Sequence, residues 1–215
     1  MANLIGIAGE PGSGKSISLK NLPAEHTVYF DCDGKGLNWK GWKNQYNSTK
    51  NNYFRINEPE KVIKGLQSVA TSEKFKHVNY LVVDTVNNLM VSEEMRRCKE
   101  KGYDKWMDLA QYIWNLVELP GQYRDNLTVI LIFHTQTEHT DDGYERIRIK
   151  TNGRKTEKND IDSKFNWLLR SVKQGEKYMF EVTSHNSTSR TPLGAFDEDY
   201  IPNDIMQVLN VMKEY

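Results

Sequence analysis

Short, fully apolar runs alternate with amphipathic stretches along this chain. Leu4-Ile5-Gly6-Ile7-Ala8, Thr27-Val28-Tyr29-Phe30, Tyr80-Leu81-Val82-Val83 and Val129-Ile130-Leu131-Ile132-Phe133 are hydrophobic at successive positions. Runs of that length and continuity suit strands covered on both faces. Between them the period lengthens to that of a helix. Asn57 or Glu58 can cap a helix with Pro59 in its first turn, and Val62, Ile63, Leu66 and Val69 form its apolar face. A helix with Leu89, Met90 and Met95 follows the Tyr80 run, and a clearer one spans 105–118 with Trp106, Leu109, Ile113, Leu116 and Val117 on one side. Phe54-Arg55-Ile56 reads as a short edge strand. Asp162 or Ser163 is placed to start a helix carrying Phe165, Trp167, Leu168 and Leu169. Tyr178 to Val182 reads as another strand, and 203–213 as a closing helix with Ile205, Met206, Leu209 and Met212 inward. The alternation predicts an α/β fold, a mainly parallel sheet with helices on both faces.

Length and charge narrow the picture. The 215 residues suit one domain over 1–215, with a basic loop or hairpin at about 137–160 and a C-terminal helix at about 203–214. Lys+Arg and Asp+Glu are 29 each, so no global field draws the chain to nucleic acid or membrane, and such binding must come from a local patch. Cys32 and Cys98 are too few for a disulfide framework or a structural zinc site and fit a reducing compartment. No basic leader precedes the first strand, and the longest apolar run is far short of a membrane span. The expectation is a cytoplasmic protein with no membrane association.

The candidate chemistry begins at Gly9-Glu10-Pro11-Gly12-Ser13-Gly14-Lys15-Ser16, which fits G-x-x-x-x-G-K-[ST] at every fixed position. A chance match in a chain this long is expected roughly once in a hundred, given ordinary glycine and lysine usage. The motif sits after a buried strand and before residues 16–20, which can open a helix. Glycines let successive N–H groups turn inward around phosphate oxygens, and a helix N-terminus adds partial positive charge. Residues Gly9 through Ser16, with Ile17, are therefore expected to hold ATP. Lys15 would reach the β- and γ-phosphates, and the Ser16 hydroxyl would be a ligand for Mg²⁺.

In a parallel sheet, ligands bind beyond the carboxyl ends of the strands. Polar groups end the other apolar runs: Asp31 and Asp33, Asp84, and His134 with Gln136. Asp84 is placed to hold the same Mg²⁺ through water, opposite Ser16. Further along, Arg146, Arg148 and Lys150 alternate with Ile147 and Ile149, so a strand would show three charges on one face. Arg154, Lys155 and Lys158 follow, with Glu157 the one acid in that run. This patch reads as nucleic-acid-binding, against the plainer alternative of a solvated hairpin. Trp39, Trp42 and Tyr46 lie among Lys35, Lys40 and Lys43. Stacking on nucleic acid is one reading of them; capping the core edge, with the lysines in water, is preferred.

The order of these segments resembles the RecA ATPase core, and within it the small phage-encoded nucleotide-binding proteins of the "AAA domain" group. The resemblance covers roughly Leu4 to Val182. It implies that Asp33, two residues past the strand-end Asp31, activates the attacking water, although the group's usual acid is a glutamate, one methylene longer. It implies that Gln136, with His134 as runner-up, senses the γ-phosphate, making Lys15, Asp33, Asp84 and Gln136 the catalytic set. The segment after Gln136 takes the place of a second DNA-binding loop. Arg190 could act in trans in an oligomer. The expected activity is Mg²⁺-dependent ATP hydrolysis on single-stranded DNA in phage recombination or annealing. Single-stranded DNA, further copies of the chain and a phage single-strand-binding protein are the expected partners. A small nucleoside or nucleotide kinase, and a slow nucleotide-gated module that signals to a protein, are the alternatives.

Overall fold

The computed structural model describes residues 2–102, 104–139, 143–151 and 160–215. Among these residues nine strands form one sheet: β1 (Asn3–Gly9), β2 (Thr27–Asp31), β3 (Tyr53–Arg55), β4 (Tyr80–Asp84), β5 (Thr128–His139), β6 (Glu145–Ile149), β7 (Trp167–Gln174), β8 (Lys177–Glu181) and β9 (Tyr200–Pro202). Their spatial order is β3-β2-β4-β5-β1-β7-β8-β9, and β6 pairs with β5 off that path. From β3 to β7 every neighbour is parallel; β5–β6, β7–β8 and β8–β9 are antiparallel. The sheet is thus mostly parallel, the α/β fold that the hydrophobic pattern implies.

Among the described residues five α-helices accompany it: α1 (Trp42–Gln45), α2 (Pro59–Thr71), α3 (Val86–Arg96), α4 (Asp104–Glu118) and α5 (Ile205–Val211). Alternate residues of each central strand face two separate cores. Val83, Leu131, Phe133 and Leu168 pack with α2, α3 and α4 on one side. Ile5, Ile7, Val82, Ile132 and Leu169 pack with α5 and Leu19 on the other. The aromatic stretch before β3 joins the second core: Tyr46 is buried, and Trp39 and Trp42 pack partly buried against it.

Two expected helices take other forms. Residues after the phosphate loop make only a single 3₁₀ turn, Ile17–Leu19, so little axial dipole stands behind the loop. The helix expected from Asp162 or Ser163 through Leu169 is a 3₁₀ turn at Ile161–Lys164 followed by β7. β7 lies parallel to β1, with Trp167 opposite Ile5 and Leu169 opposite Ile7. Phe165 and Leu168 enter one core while Trp167 and Leu169 enter the other. A strand buried on both faces is apolar at neighbouring positions, and over five residues that pattern imitates a helix.

The register aligns the functional strand ends. Asp31 on β2 stands beside Asp84 on β4, and Gly9 on β1 stands beside His134 on β5. β5 lies between the strand leading to the phosphate loop and the strand ending in Asp84. It continues past the sheet's edge to His139 and returns as β6, forming an arm that grows directly out of the site. Among the described residues no helix is long and apolar enough to cross a membrane.

Candidate nucleotide site

A cleft of about 410 Å³ opens over these strand ends. Gly12, Gly14, Lys15, Ser16 and Ile17 of the loop line one wall; Asp31, Asp33, Asp84, Thr85 and His134 line the floor, and Tyr178 stands at the rim. The loop turns through glycines at positive φ, 80° at Gly12 and 102° at Gly14, where other residues are strained. Gly14 is also crowded: a Cβ there would lie 2.8 Å from the Tyr178 ring and 3.0 Å from the Asn203 amide.

Lys15 is 6 % exposed and its ammonium donates to the Gly9 and Glu10 carbonyls at 2.8 and 2.7 Å. Burial lowers its pKa to about 8, against the opposing pull of Asp84 and Asp33. A buried cation with one N–H still to place, in a loop that lines the cleft, is a receptor for phosphate oxygens. Ser16 donates to Asp84 Oδ2 at 2.6 Å, and the buried Tyr29 hydroxyl donates to the same oxygen at 2.5 Å. Burial pushes the Asp84 carboxyl up, while those two donated bonds hold it down. A hydroxyl and one carboxylate are an incomplete cage; among the described residues no cluster of three His, Cys, Asp or Glu could hold a metal. That donor set fits magnesium, which keeps its waters and takes nucleotide phosphates as further ligands.

The two acids after β2 differ in their surroundings. Asp31 accepts from the backbone N–H of Gly34 at 2.8 Å and of Gly36 at 2.9 Å, and from the Tyr53 hydroxyl. Its carboxylate holds the turn. Asp33 accepts from Thr85 Oγ1 at 2.9 Å and from Lys35 Nζ at 2.7 Å, and Lys35 is largely in solvent. Asp33 lines the cleft, each of its oxygens accepting one bond from a side chain and none from the backbone turn.

The residues at the end of β5 separate too. His134 lines the cleft, and its Nδ1 is buried without a hydrogen-bond partner. Burial and the neighbouring Lys15 lower its pKa. Gln136 is not among the residues lining the cleft; it pairs with Arg148 across the arm, one pleat farther out. An extended strand advances about 6.6 Å over two residues, which carries Gln136 away from the site.

The basic stripe is not three free cations. Arg146 and Lys150 are exposed. Arg148, between them, lies within 3.3 Å of Glu138, Asp160 and Asp162. Asp162 is 1 % exposed and also accepts from Ile149 N at 3.0 Å and Thr188 Oγ1 at 2.6 Å. Arg148 is thus a pin at the root of the arm, because a buried carboxylate needs a charged partner. Arg154, Lys155 and Lys158 lie outside the described residues. Arg190 pairs its backbone with Leu168 in both directions and is not among the residues lining the cleft of its own chain.

Three contributors escape motif reasoning. Thr85 positions Asp33. Asn87 accepts from the His134 N–H at 2.7 Å and donates to the Lys150 carbonyl at 2.7 Å, clamping the cleft to the arm. Tyr29 looks like an ordinary core aromatic. The one available signal was polarity straight after an apolar strand, in Thr85 and Asn87-Asn88.

A glycine-cradled lysine, a serine–aspartate pair and a parallel sheet with these strand ends define a P-loop nucleotide-binding domain. The profile of the AAA domain family matches residues 1–191, so this chain belongs to that family. The family is one of nucleotide-binding ATPase domains. No curated protein matches the sequence.

Proposed function

We propose that this chain is a magnesium-dependent ATPase with a RecA-like core that acts on single-stranded DNA, in phage recombination or annealing. One observation carries the reading: β5 runs without a break from His134 in the cleft into the arm with Arg146 and Lys150. Asn87 ties the two ends of that connection together, since it holds both His134 and Lys150. A change at the γ-phosphate would therefore bear on the arm through bonded backbone rather than through solvent. Ser16 and Asp84 would hold the magnesium ion, which would neutralise charge developing on the phosphate oxygens. Lys15 binds the phosphates, Asp33 takes the proton of the attacking water, and His134, not Gln136, meets the γ-phosphate.

The test is phosphate release with and without a single strand, beside fluorescence anisotropy of a labelled strand across a salt series. The expected result is stimulation by DNA and a salt slope that falls by roughly 1.4 in the Arg146→Ser/Lys150→Ser double variant, about 0.7 per lost phosphate contact. Equal slopes in parent and variant would remove DNA from the reading. A phosphorylated small acceptor would instead make the chain a nucleoside or nucleotide kinase. Slow turnover indifferent to DNA would make it a nucleotide-gated module for a protein partner.

A further inference from the structure

We propose that Tyr29 is a positioning residue: its buried hydroxyl fixes the Asp84 carboxylate in the orientation that a magnesium–nucleotide complex requires. The inference rests on the nucleotide reading above and goes beyond it to a residue that no phosphate-loop or strand-end motif contains.

Tyr29 lies in the middle of β2, between the apolar Val28 and Phe30, and is 1 % exposed. Its ring is held edge-on against Tyr46 at 5.7 Å and tilted against Tyr53 at 6.3 Å. Burying a hydroxyl among such rings is costly unless it has a partner, and phenylalanine would fill the same volume without that cost. The partner is Asp84 Oδ2, at 2.5 Å. Ser16 Oγ donates to the same oxygen at 2.6 Å. One carboxylate oxygen thus takes a bond from the phosphate loop and another from the middle of a central strand.

The two bonds do different work. The terminal torsion of an aspartate is broad, so one donor leaves the carboxylate free to swing about it. A second donor, arriving from the sheet, sets the plane. The Ser16 oxygen can then offer its lone pair to a cation while its O–H stays donated to Asp84, and the other carboxylate oxygen is left for the water shell of the ion. Bonds of this outer kind commonly change metal affinity by 10- to 100-fold, although they never touch the metal.

The test is binding of a fluorescent ATP analogue, titrated in EDTA and again in Mg²⁺, for the parent, Tyr29→Phe and Tyr46→Phe. Tyr46→Phe removes another hydroxyl from the same aromatic cluster without touching the Asp84 bond. For Tyr29→Phe the expected result is EDTA affinity within about twofold of the parent, with the strengthening by Mg²⁺ reduced on the order of tenfold. Tyr46→Phe should respond to Mg²⁺ like the parent. If Tyr29→Phe loses thermal stability but keeps the parent's full response to Mg²⁺, the hydroxyl serves folding alone and the inference is overturned. A second pair guards against a variant that does not fold. Asp84→Asn, with no buried charge left to solvate, should respond to Mg²⁺ identically with Tyr29 or Phe at position 29; a further loss there would overturn action through Asp84. A parent that binds no nucleotide in either condition overturns the nucleotide reading itself. A parent strengthened by Mg²⁺ beside an equally strengthened Tyr29→Phe overturns only the role of Tyr29.

Discussion

Replacing Lys15 with methionine should abolish tight nucleotide binding and leave the empty protein about as stable as before. The side chain is buried and its charge is tolerated rather than favoured. A pKa of about 8 against the usual 10.5 corresponds to roughly 3 kcal/mol of lost preference for the charged form. Methionine has a similar length and no charge to desolvate, so that penalty disappears. Against it stand the Gly9 and Glu10 carbonyls, which lose their donor. A buried acceptor left alone costs about 1–3 kcal/mol, and only the Gly9 bond is fully buried. The two effects nearly cancel, and for a chain of 215 residues the melting temperature should move by no more than about 4 °C. Binding has no such compensation. Loss of charge-assisted bonds to the phosphates removes roughly 3–4 kcal/mol, or two to three powers of ten in affinity. Thermal unfolding of the nucleotide-free protein and titration with a fluorescent ATP analogue measure the two quantities on one sample. Affinity within threefold of the parent would mean that Lys15 does not face the phosphates. A fall in melting temperature beyond about 10 °C would mean that its charge supports the fold, contrary to the burial argument.

The remaining predictions concern neighbouring groups. Asp33→Asn should retain ATP binding and lose about 10²-fold or more in turnover, as expected when a general base goes; single-turnover phosphate release checks this, and a normal rate refutes the assignment. Asp31→Asn should instead lower the melting temperature, since its carboxylate accepts the Gly34 and Gly36 N–H groups, at about 1–3 kcal/mol for the disturbed bonds. Asp162→Ala should leave Arg148 and the Ile149 N–H without their shared partner, and hydrogen exchange over 145–149 should accelerate at least tenfold while exchange in β1 stays unchanged. Gly14→Ala should cost roughly 1–3 kcal/mol from its positive φ and its crowding by Tyr178, seen as a lower melting temperature together with weaker nucleotide binding.

By itself the sequence determined what is local. The phosphate loop is a contiguous stretch whose glycines and Lys15 act through neighbouring backbone, so spacing alone identifies it. The central strands were equally legible, because burial on both faces demands an unbroken apolar run and Leu81 to Val83 or Val129 to Phe133 can be little else. Asp84 followed from ending such a run. Tertiary structure decided everything that depends on which strands are neighbours. Whether Phe165 to Leu169 became helix or strand rested on the open edge of β1, which no local pattern announces. Arg148 reads as a free cation until folding brings the buried Asp162 against it across 14 positions. Tyr29 reads as core until β2 settles beside β4 and its hydroxyl meets Asp84, 55 positions away. His134 and Gln136 differ by one pleat, and only the register of β5 against β1 fixes which of them faces the loop. Hydrophobic periodicity reports how much of a side chain is buried. It carries no record of the partner, because a partner is set by sheet order and register, which are properties of the whole chain.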